Sequence, residues 1–76
     1  MTLETFKDIH KDKTPFDKIN LLREQTANAI FDVLSKEEAL KRNDESDAKF
    51  WKKESVEMGK RMDWLFDELR LALKEQ

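Results

Sequence analysis

The sequence predicts an all-α protein, a helical hairpin of two long antiparallel helices preceded by a short N-terminal arm helix. Three observations favour this fold. The 76 residues include one glycine and one proline, and 42% of them are charged, which is typical of long helices joined by short loops. Runs of alternating apolar and polar residues, the pattern of strands, are missing. Apolar residues instead recur at three- and four-residue steps. We therefore expect a single domain over residues 1–76 without a sheet.

The start of the first long helix, predicted over residues 15–42, is marked by a strong capping signal. Thr14 is placed to cap the helix, and Pro15 occupies the first turn, where no backbone hydrogen bond is lost. Asp17 occupies the acidic position of a capping box. The helix is therefore expected to begin at Pro15.

The N-terminal arm, residues 1–13, is predicted to contain one short helix. Thr2 or Thr5 is the candidate cap, and a polar hinge follows at residues 11–13. The apolar residues of the arm, which we expect to lie on one side of its helix, are Leu3, Phe6 and Ile9.

The apolar arc of the first long helix spans roughly 160°, which is wider than one neighbouring helix requires. Its members are Phe16, Ile19, Leu22, Thr26, Ala29, Ile30, Val33, Leu34 and Leu40. We therefore expect two or more neighbours, as in a helical bundle formed by dimerisation or by partner binding. Arg23 and Glu37 fall within this arc, where they either extend to water or pair across an antiparallel dimer.

Residues 43–47, Asn-Asp-Glu-Ser-Asp, are predicted to form the hairpin turn. A single continuous helix of about sixty residues is the alternative, because the heptad register runs without a break from Leu40 to Trp51. That alternative places Asp44 and Asp47 in the apolar seam, where a carboxylate is costly. The hairpin is therefore the favoured prediction.

The second long helix, predicted over residues 48–75, carries the clearest periodicity in the chain. Its heptad positions are Trp51, Ser55, Met58, Met62, Leu65, Leu69 and Ala72. A second stripe at seven-residue spacing contains Phe50, Trp64 and Leu71. This stripe either receives the arm or remains exposed as an aromatic anchor for a partner.

Six residues of the second long helix are the candidates for partner binding, because tryptophan is enriched at interfaces and methionine adapts to irregular surfaces. They are Phe50, Trp51, Met58, Met62, Trp64 and Leu71. For the two methionines, core packing is the simpler interpretation. The expected partner is another protein or a second copy of the chain.

A basic collar near the turn supports an alternative, RNA or DNA binding by a hairpin dimer. Its residues are Lys41, Arg42, Lys49, Lys52 and Lys53, close to Phe50 and Trp51. In shape, such a dimer resembles the helical hairpins that regulate plasmid RNA pairing. The acidic residues of the turn lie inside the collar and weaken its potential, so nucleic acid is the less favoured partner.

The sequence contains no recognisable catalytic, metal or nucleotide motif. There is no cysteine, His10 is the only histidine, and no glycine-rich loop is present. The pair Glu54 and Glu57 lacks a second pair to complete a metal site, and the spacing of Glu57 and Arg61 predicts an ordinary surface ion pair. We therefore expect no enzymatic activity, no cofactor, no metal and no small-molecule substrate.

The charge balance and the absence of an apolar run indicate a cytoplasmic protein that binds no membrane. The formal net charge is −2, and no stretch is long and apolar enough to span a bilayer. The expected function is a protein–protein interaction module of the adaptor, inhibitor or co-chaperone type. Small accessory proteins of this kind are encoded by phages, plasmids and secretion systems.

Overall fold

The computed structural model describes residues 1–75 and contains three helices. They are α1 (Leu3–His10), α2 (Pro15–Lys41) and α3 (Glu45–Lys74). The two long helices pack against each other as a hairpin, and α1 packs on α3. No strand occurs in residues 1–75, so the predicted all-α hairpin with a short N-terminal helix is confirmed. The molecule measures 50 × 19 × 15 Å along its principal axes.

The predicted Thr14 cap forms, and of the two candidate caps in the arm, Thr2 and Thr5, the structure uses Thr2. The Oγ1 atom of Thr2 accepts a hydrogen bond from the backbone N–H of Thr5 at 3.2 Å and caps α1. The Oγ1 atom of Thr14 accepts from the backbone N–H of Asp17 at 3.2 Å, and Pro15 is the first residue of α2. These side chains satisfy backbone donors that a helix start leaves without partners.

The hairpin turn is shorter than predicted, because Asp44 caps α3 and the helix begins at Glu45, not at residue 48. The Asp44 carboxylate accepts from the backbone N–H of Asp47 at 3.0 Å. Asn43 has a φ of 59°, a left-handed conformation that asparagine tolerates. The Asp44 N–H also donates to the carbonyl of Ala39 at 2.9 Å, which completes a Schellman-type end to α2. The continuous-helix alternative is therefore wrong.

The predicted heptad seam of α3 faces α2. Leu65 is fully buried and Met58 is 7% exposed. The other seam residues are half-buried, namely Trp51, Ser55, Met62, Leu69 and Ala72. Near the turn, Ala39 and Ala48 are both buried. The seam is therefore the apolar half of the hairpin interface.

The apolar arc of α2 is expected from the sequence to pack against neighbouring helices, but α2 packs on α3 through a different face. The buried residues of α2 recur every seven positions and are Lys18, Gln25, Asp32 and Ala39. Most of the predicted arc is exposed, including Phe16, Ile19, Ile30, Val33, Leu34 and Leu40. The physical reason is the rotation of α2 about its own axis, which turns Lys18 toward α3, where it forms an ion pair with Glu68 at 3.2 Å, and turns the apolar arc away from that interface.

None of the helices within residues 1–75 combines the length and the apolar character that a bilayer crossing requires.

Candidate partner-binding surface

One side of the hairpin carries a row of large apolar side chains from both long helices, most of them exposed and two of them, Met62 and Leu69, half-buried. We call it the apolar side and define it by Ile19, Ile30, Val33 and Leu40 of α2 with Met62, Phe66, Leu69 and Leu73 of α3. Ile30, at the middle of α2, is 58% exposed, and Leu73 is 70% exposed. Isolated exposed apolar residues are normal, whereas a continuous apolar patch on a small protein is typical of an interaction surface.

Three shallow hollows lie along the apolar side. The hollow near the chain ends, of about 330 Å³, is lined by Pro15, Ile19, Leu69, Ala72 and Leu73. The central hollow, of about 300 Å³, is lined by Thr26, Ala29, Ile30, Val33, Leu34 and Met62. The hydroxyl of Thr26 donates to the carbonyl of Leu22 at 2.8 Å, so its hydrogen-bond donor is already used within α2. The hollow near the turn, of about 380 Å³, is lined by Lys36, Leu40, Glu45, Ala48, Lys49 and Lys52.

Helix α1 packs on the opposite side of α3 and leaves the apolar side uncovered. Its buried residue, Phe6, meets Trp64 edge to face, with ring centroids 5.8 Å apart. The guanidinium of Arg61 lies 5.1 Å from the centre of the Phe6 ring and donates to the carbonyl of Met1 at 2.9 Å. Trp64 and Phe66 are two positions apart, which separates them by about 200° around α3.

Lys18 connects all three parts of the fold. Its Nζ donates to Glu68 of α3 at 3.2 Å and to the backbone carbonyl of Lys11 at the end of α1, also at 3.2 Å. The same ammonium lies 5.9 Å from the centre of the Trp64 ring. A buried lysine with these partners holds α1 and α2 in fixed positions on α3.

The six residues predicted for partner binding do not form one continuous surface. Met58 is buried in the hairpin, and Met62 lines the central hollow. Trp64 is half-buried beneath Phe6. Leu71 and Phe50, the other two members of the second stripe, are exposed. The arm therefore covers the Trp64 part of that stripe through Phe6, whereas Leu3 is half-buried and Ile9 is exposed.

Phe50 and Trp51 belong to an aromatic cluster near the turn. The Trp51 ring is 5.0 Å from Phe50 and 5.6 Å from Phe31, both nearly perpendicular. Phe31, which is exposed, was not recognised in the sequence because it lies off the apolar arc of α2. An open hollow of about 460 Å³ beside the cluster is lined by Phe31, Leu34, Ser35, Glu38, Arg42, Asp47 and Trp51.

The basic collar is partly neutralised by the turn itself. The Arg42 guanidinium donates to the Asp47 carboxylate at 3.1 Å. Lys49 and Lys52 line the hollow near the turn together with Lys36, but Glu45 lines the same hollow. Lys41 and Lys53 are exposed. The collar is thus a mixed-charge region, and two of its lysines share one hollow with Lys36 and Glu45.

Two titratable groups are affected by burial. Burial raises the pKa of Asp32, and the nearby negative charge of Glu54 raises it further. Asp32 is 6% exposed, and its Oδ2 atom has no hydrogen-bond partner among the described residues. Burial lowers the pKa of His10, as do the charges of Lys13 and Arg61, while Glu24 acts in the opposite direction. Protonation of His10 therefore opposes the packing of α1.

The described residues contain no group of three histidine, aspartate or glutamate side chains arranged to hold a metal ion. In the pair Glu54 and Glu57, Glu57 forms an ion pair with Lys60 at 3.2 Å. The pairing of Glu57 with Arg61 that their spacing predicts does not form, because the Arg61 guanidinium interacts with α1.

The fold and the exposed surface define a three-helix protein in which a hairpin carries an uncovered apolar side. Comparisons with protein-family models, with curated proteins and with solved structures gave no match.

Proposed function

We propose that this protein is a non-enzymatic protein–protein interaction module that binds a helical polypeptide on the apolar side of its hairpin. The observation that carries the proposal is the distribution of side chains on α2. Its polar residues Lys18, Gln25 and Asp32 are buried against α3, whereas Ile19, Ile30 and Val33 are exposed. Apolar residues left outside the fold at helical spacing are typical of a surface that a further helix covers.

The size of the chain supports the same conclusion. A domain of this length buries only about 60% of the surface of its unfolded chain, so its own core contributes limited stability. The buried apolar residues are few, namely Phe6, Ala39, Ala48, Met58 and Leu65. Binding a partner on the apolar side buries additional apolar area at about 25 cal/mol per Å². The proposed role is that of an adaptor, inhibitor or co-chaperone whose fold is completed by its partner.

The test replaces Phe66, at the middle of the apolar side, with aspartate. The matched control is Val56→Asp, which places the same charge at a similarly exposed position on the outer face of α3. Both variants should keep the helical circular dichroism of the parent. We expect Phe66→Asp to abolish both self-association and the capture of polypeptides from a lysate of the native host, and Val56→Asp to preserve them. If Phe66→Asp changes neither property, the α3 part of the apolar side is not a binding surface and the proposal that a helix binds across both long helices is wrong.

Nucleic-acid binding is the second candidate, favoured by the convergence of Lys36, Lys49 and Lys52 on one hollow. The affinity of such binding for nucleic acid falls steeply as the salt concentration rises, because phosphate binding releases counterions. Lys49→Glu combined with Lys52→Glu should then abolish the binding of single-stranded RNA, whereas Phe66→Asp, away from this hollow, should leave RNA binding unchanged.

A further inference from the structure

We infer that the polypeptide which covers the apolar side is a second copy of this chain, paired antiparallel through α2 about a two-fold axis near Ile30. This inference rests on the proposed function and specifies its partner. It is carried by the arrangement of apolar and charged residues on the exposed face of α2.

The exposed face of α2 has a complete heptad pattern of its own. One set of positions at seven-residue spacing is Phe16, Arg23, Ile30 and Glu37, and the other is Ile19, Thr26, Val33 and Leu40. Thr26 is half-buried, and the other seven side chains are exposed. Two interleaved sets at this spacing form the seam of a helix that pairs with another helix. Within residues 1–75 this seam is largely exposed, because α2 packs on α3 through the face of Lys18, Gln25 and Asp32, and the seam meets α3 only along the edge of the two hollows that Met62 and Leu69 line.

The two charges in this seam are self-complementary. Arg23 precedes Ile30 by seven residues, and Glu37 follows it by seven. Both are exposed, and neither forms an ion pair within the described residues. A charge in an apolar seam is costly unless it is paired.

An antiparallel two-fold arrangement pairs both charges at once. It brings Arg23 of each chain within about one helical turn of Glu37 of the other chain, and it places the two Ile30 side chains together at the centre. A parallel arrangement would instead place arginine against arginine and glutamate against glutamate. The charge pattern therefore selects the antiparallel orientation, and the result is a four-helix assembly of two hairpins.

The test combines charge reversal with complementation, because the antiparallel geometry predicts both a loss of self-association in each single variant and a recovery in their mixture. In a homodimer, Arg23→Glu alone places two glutamates together at both contacts, and Glu37→Arg alone places two arginines together at both contacts. We expect each variant to weaken self-association by at least about ten-fold in sedimentation equilibrium. An equimolar mixture of the two variants should form dimers again, because one chain then carries two glutamates and the other carries two arginines at these positions.

Controls separate this geometry from a general effect of net charge. Lys53→Glu and Asp63→Arg change the net charge by the same amounts at exposed positions on α3 outside the seam, and they should leave self-association unchanged. Because the natural chain has no cysteine, Ile30→Cys also gives a single crosslinking site. A short bis-maleimide should join two chains through it, whereas Val56→Cys should remain uncrosslinked.

The outcomes distinguish this inference from the proposed function. If the chain is monomeric at all concentrations, or if the mixture of Arg23→Glu and Glu37→Arg stays as weak as either variant alone, the antiparallel dimer is overturned. The proposed function survives that result if Phe66→Asp still abolishes the capture of a foreign polypeptide. A third outcome is that Phe66→Asp has no effect on capture while the mixture of Arg23→Glu and Glu37→Arg dimerises. In that case α2 alone forms the interface, and the function proposed for the wider apolar side is wrong.

Discussion

Asp32 is the buried residue that most clearly opposes the hairpin fold. Its carboxylate has no cation within the described ion pairs, and Glu54 is the neighbouring charge that raises its pKa further. In the unfolded chain an aspartate ionises at a pKa of about 3.9. Since the folded state raises the pKa, the contribution of Asp32 to stability is greatest below the unfolded pKa. It is lost as the pH rises through the folded pKa.

Asp32→Asn should therefore stabilise the protein at neutral pH. The substitution keeps the shape of the side chain and removes the buried charge, and we expect a gain of about 1 kcal/mol in the free energy of unfolding at pH 7. The gain should shrink toward zero at pH 3, where the carboxyl group is protonated in both states. Urea unfolding at pH 7 and at pH 3 measures this gain in the free energy of unfolding. The control is Asp63→Asn, a substitution at an exposed position. A loss of stability at pH 7 would mean that Asp32 has a cationic partner in the assembled protein.

Gly59 lies in the interior of α3, and a Cβ atom added there meets nothing within 4 Å. Glycine is a poor helix former because its unfolded chain has more conformational freedom than that of alanine. Gly59→Ala should raise the free energy of unfolding by about 0.5–1 kcal/mol. Ala27→Gly, at an exposed position of α2, should lower it by a similar amount. Destabilisation by Gly59→Ala would indicate that another chain occupies the space beside this residue.

At the scale of elements, α1 is attached to the hairpin by a small number of contacts. Three contacts account for its position. Phe6 packs on Trp64, the Arg61 guanidinium lies over the Phe6 ring, and Lys18 donates a hydrogen bond to the carbonyl of Lys11. An eight-residue helix is too short to be stable alone in water, so its helicity depends on this packing. Displacement of α1 would expose Trp64 and join it to the neighbouring exposed Leu71.

Phe6→Ala should detach α1 while the hairpin persists. We expect a loss of about 2 kcal/mol, the value for burying one phenylalanine side chain, because the arm moves away instead of leaving a cavity. In a Trp51→Phe background, the emission of Trp64 should shift to the red. Ile9→Ala, at an exposed position of the same helix, should leave the emission unchanged. A blue-shifted emission that persists in Phe6→Ala would show that Trp64 is covered by something other than the arm.

At the scale of the whole molecule, the hairpin combines one well-packed helix face with one exposed seam. The side of α3 that carries Met58 and Leu65 is buried. The residues of α2 that pack against this side include a lysine, a glutamine and an aspartate. The most apolar stripe of α2 is thereby left on the outside. The antiparallel dimer proposed above would convert the exposed seam into the centre of a four-helix assembly.

Local signals in the sequence determined the helices and most of their boundaries. Thr14 with Pro15 determined the start of α2, and the heptad seam through Leu65 determined which face of α3 is buried. Such features depend on residues within one or two helical turns of each other, so periodicity and capping preferences are sufficient to predict them. The predicted start of α3 is three residues too late, because several residues of the turn are acceptable N-caps. The left-handed backbone conformation of Asn43 in the structure makes Asp44 the N-cap.

Only the tertiary structure decided which face of α2 packs and where α1 lies. Periodicity defines the faces of a helix relative to its own axis, but the rotation of that axis toward a neighbour depends on distant contacts. The ion pair of Lys18 with Glu68, fifty residues away in the chain, is a contact of this kind. The position of Phe31 beside Trp51 follows from the same rotation. The sequence alone therefore determined the elements and the hairpin, whereas the long-range packing decided that the apolar seam of α2 faces outward.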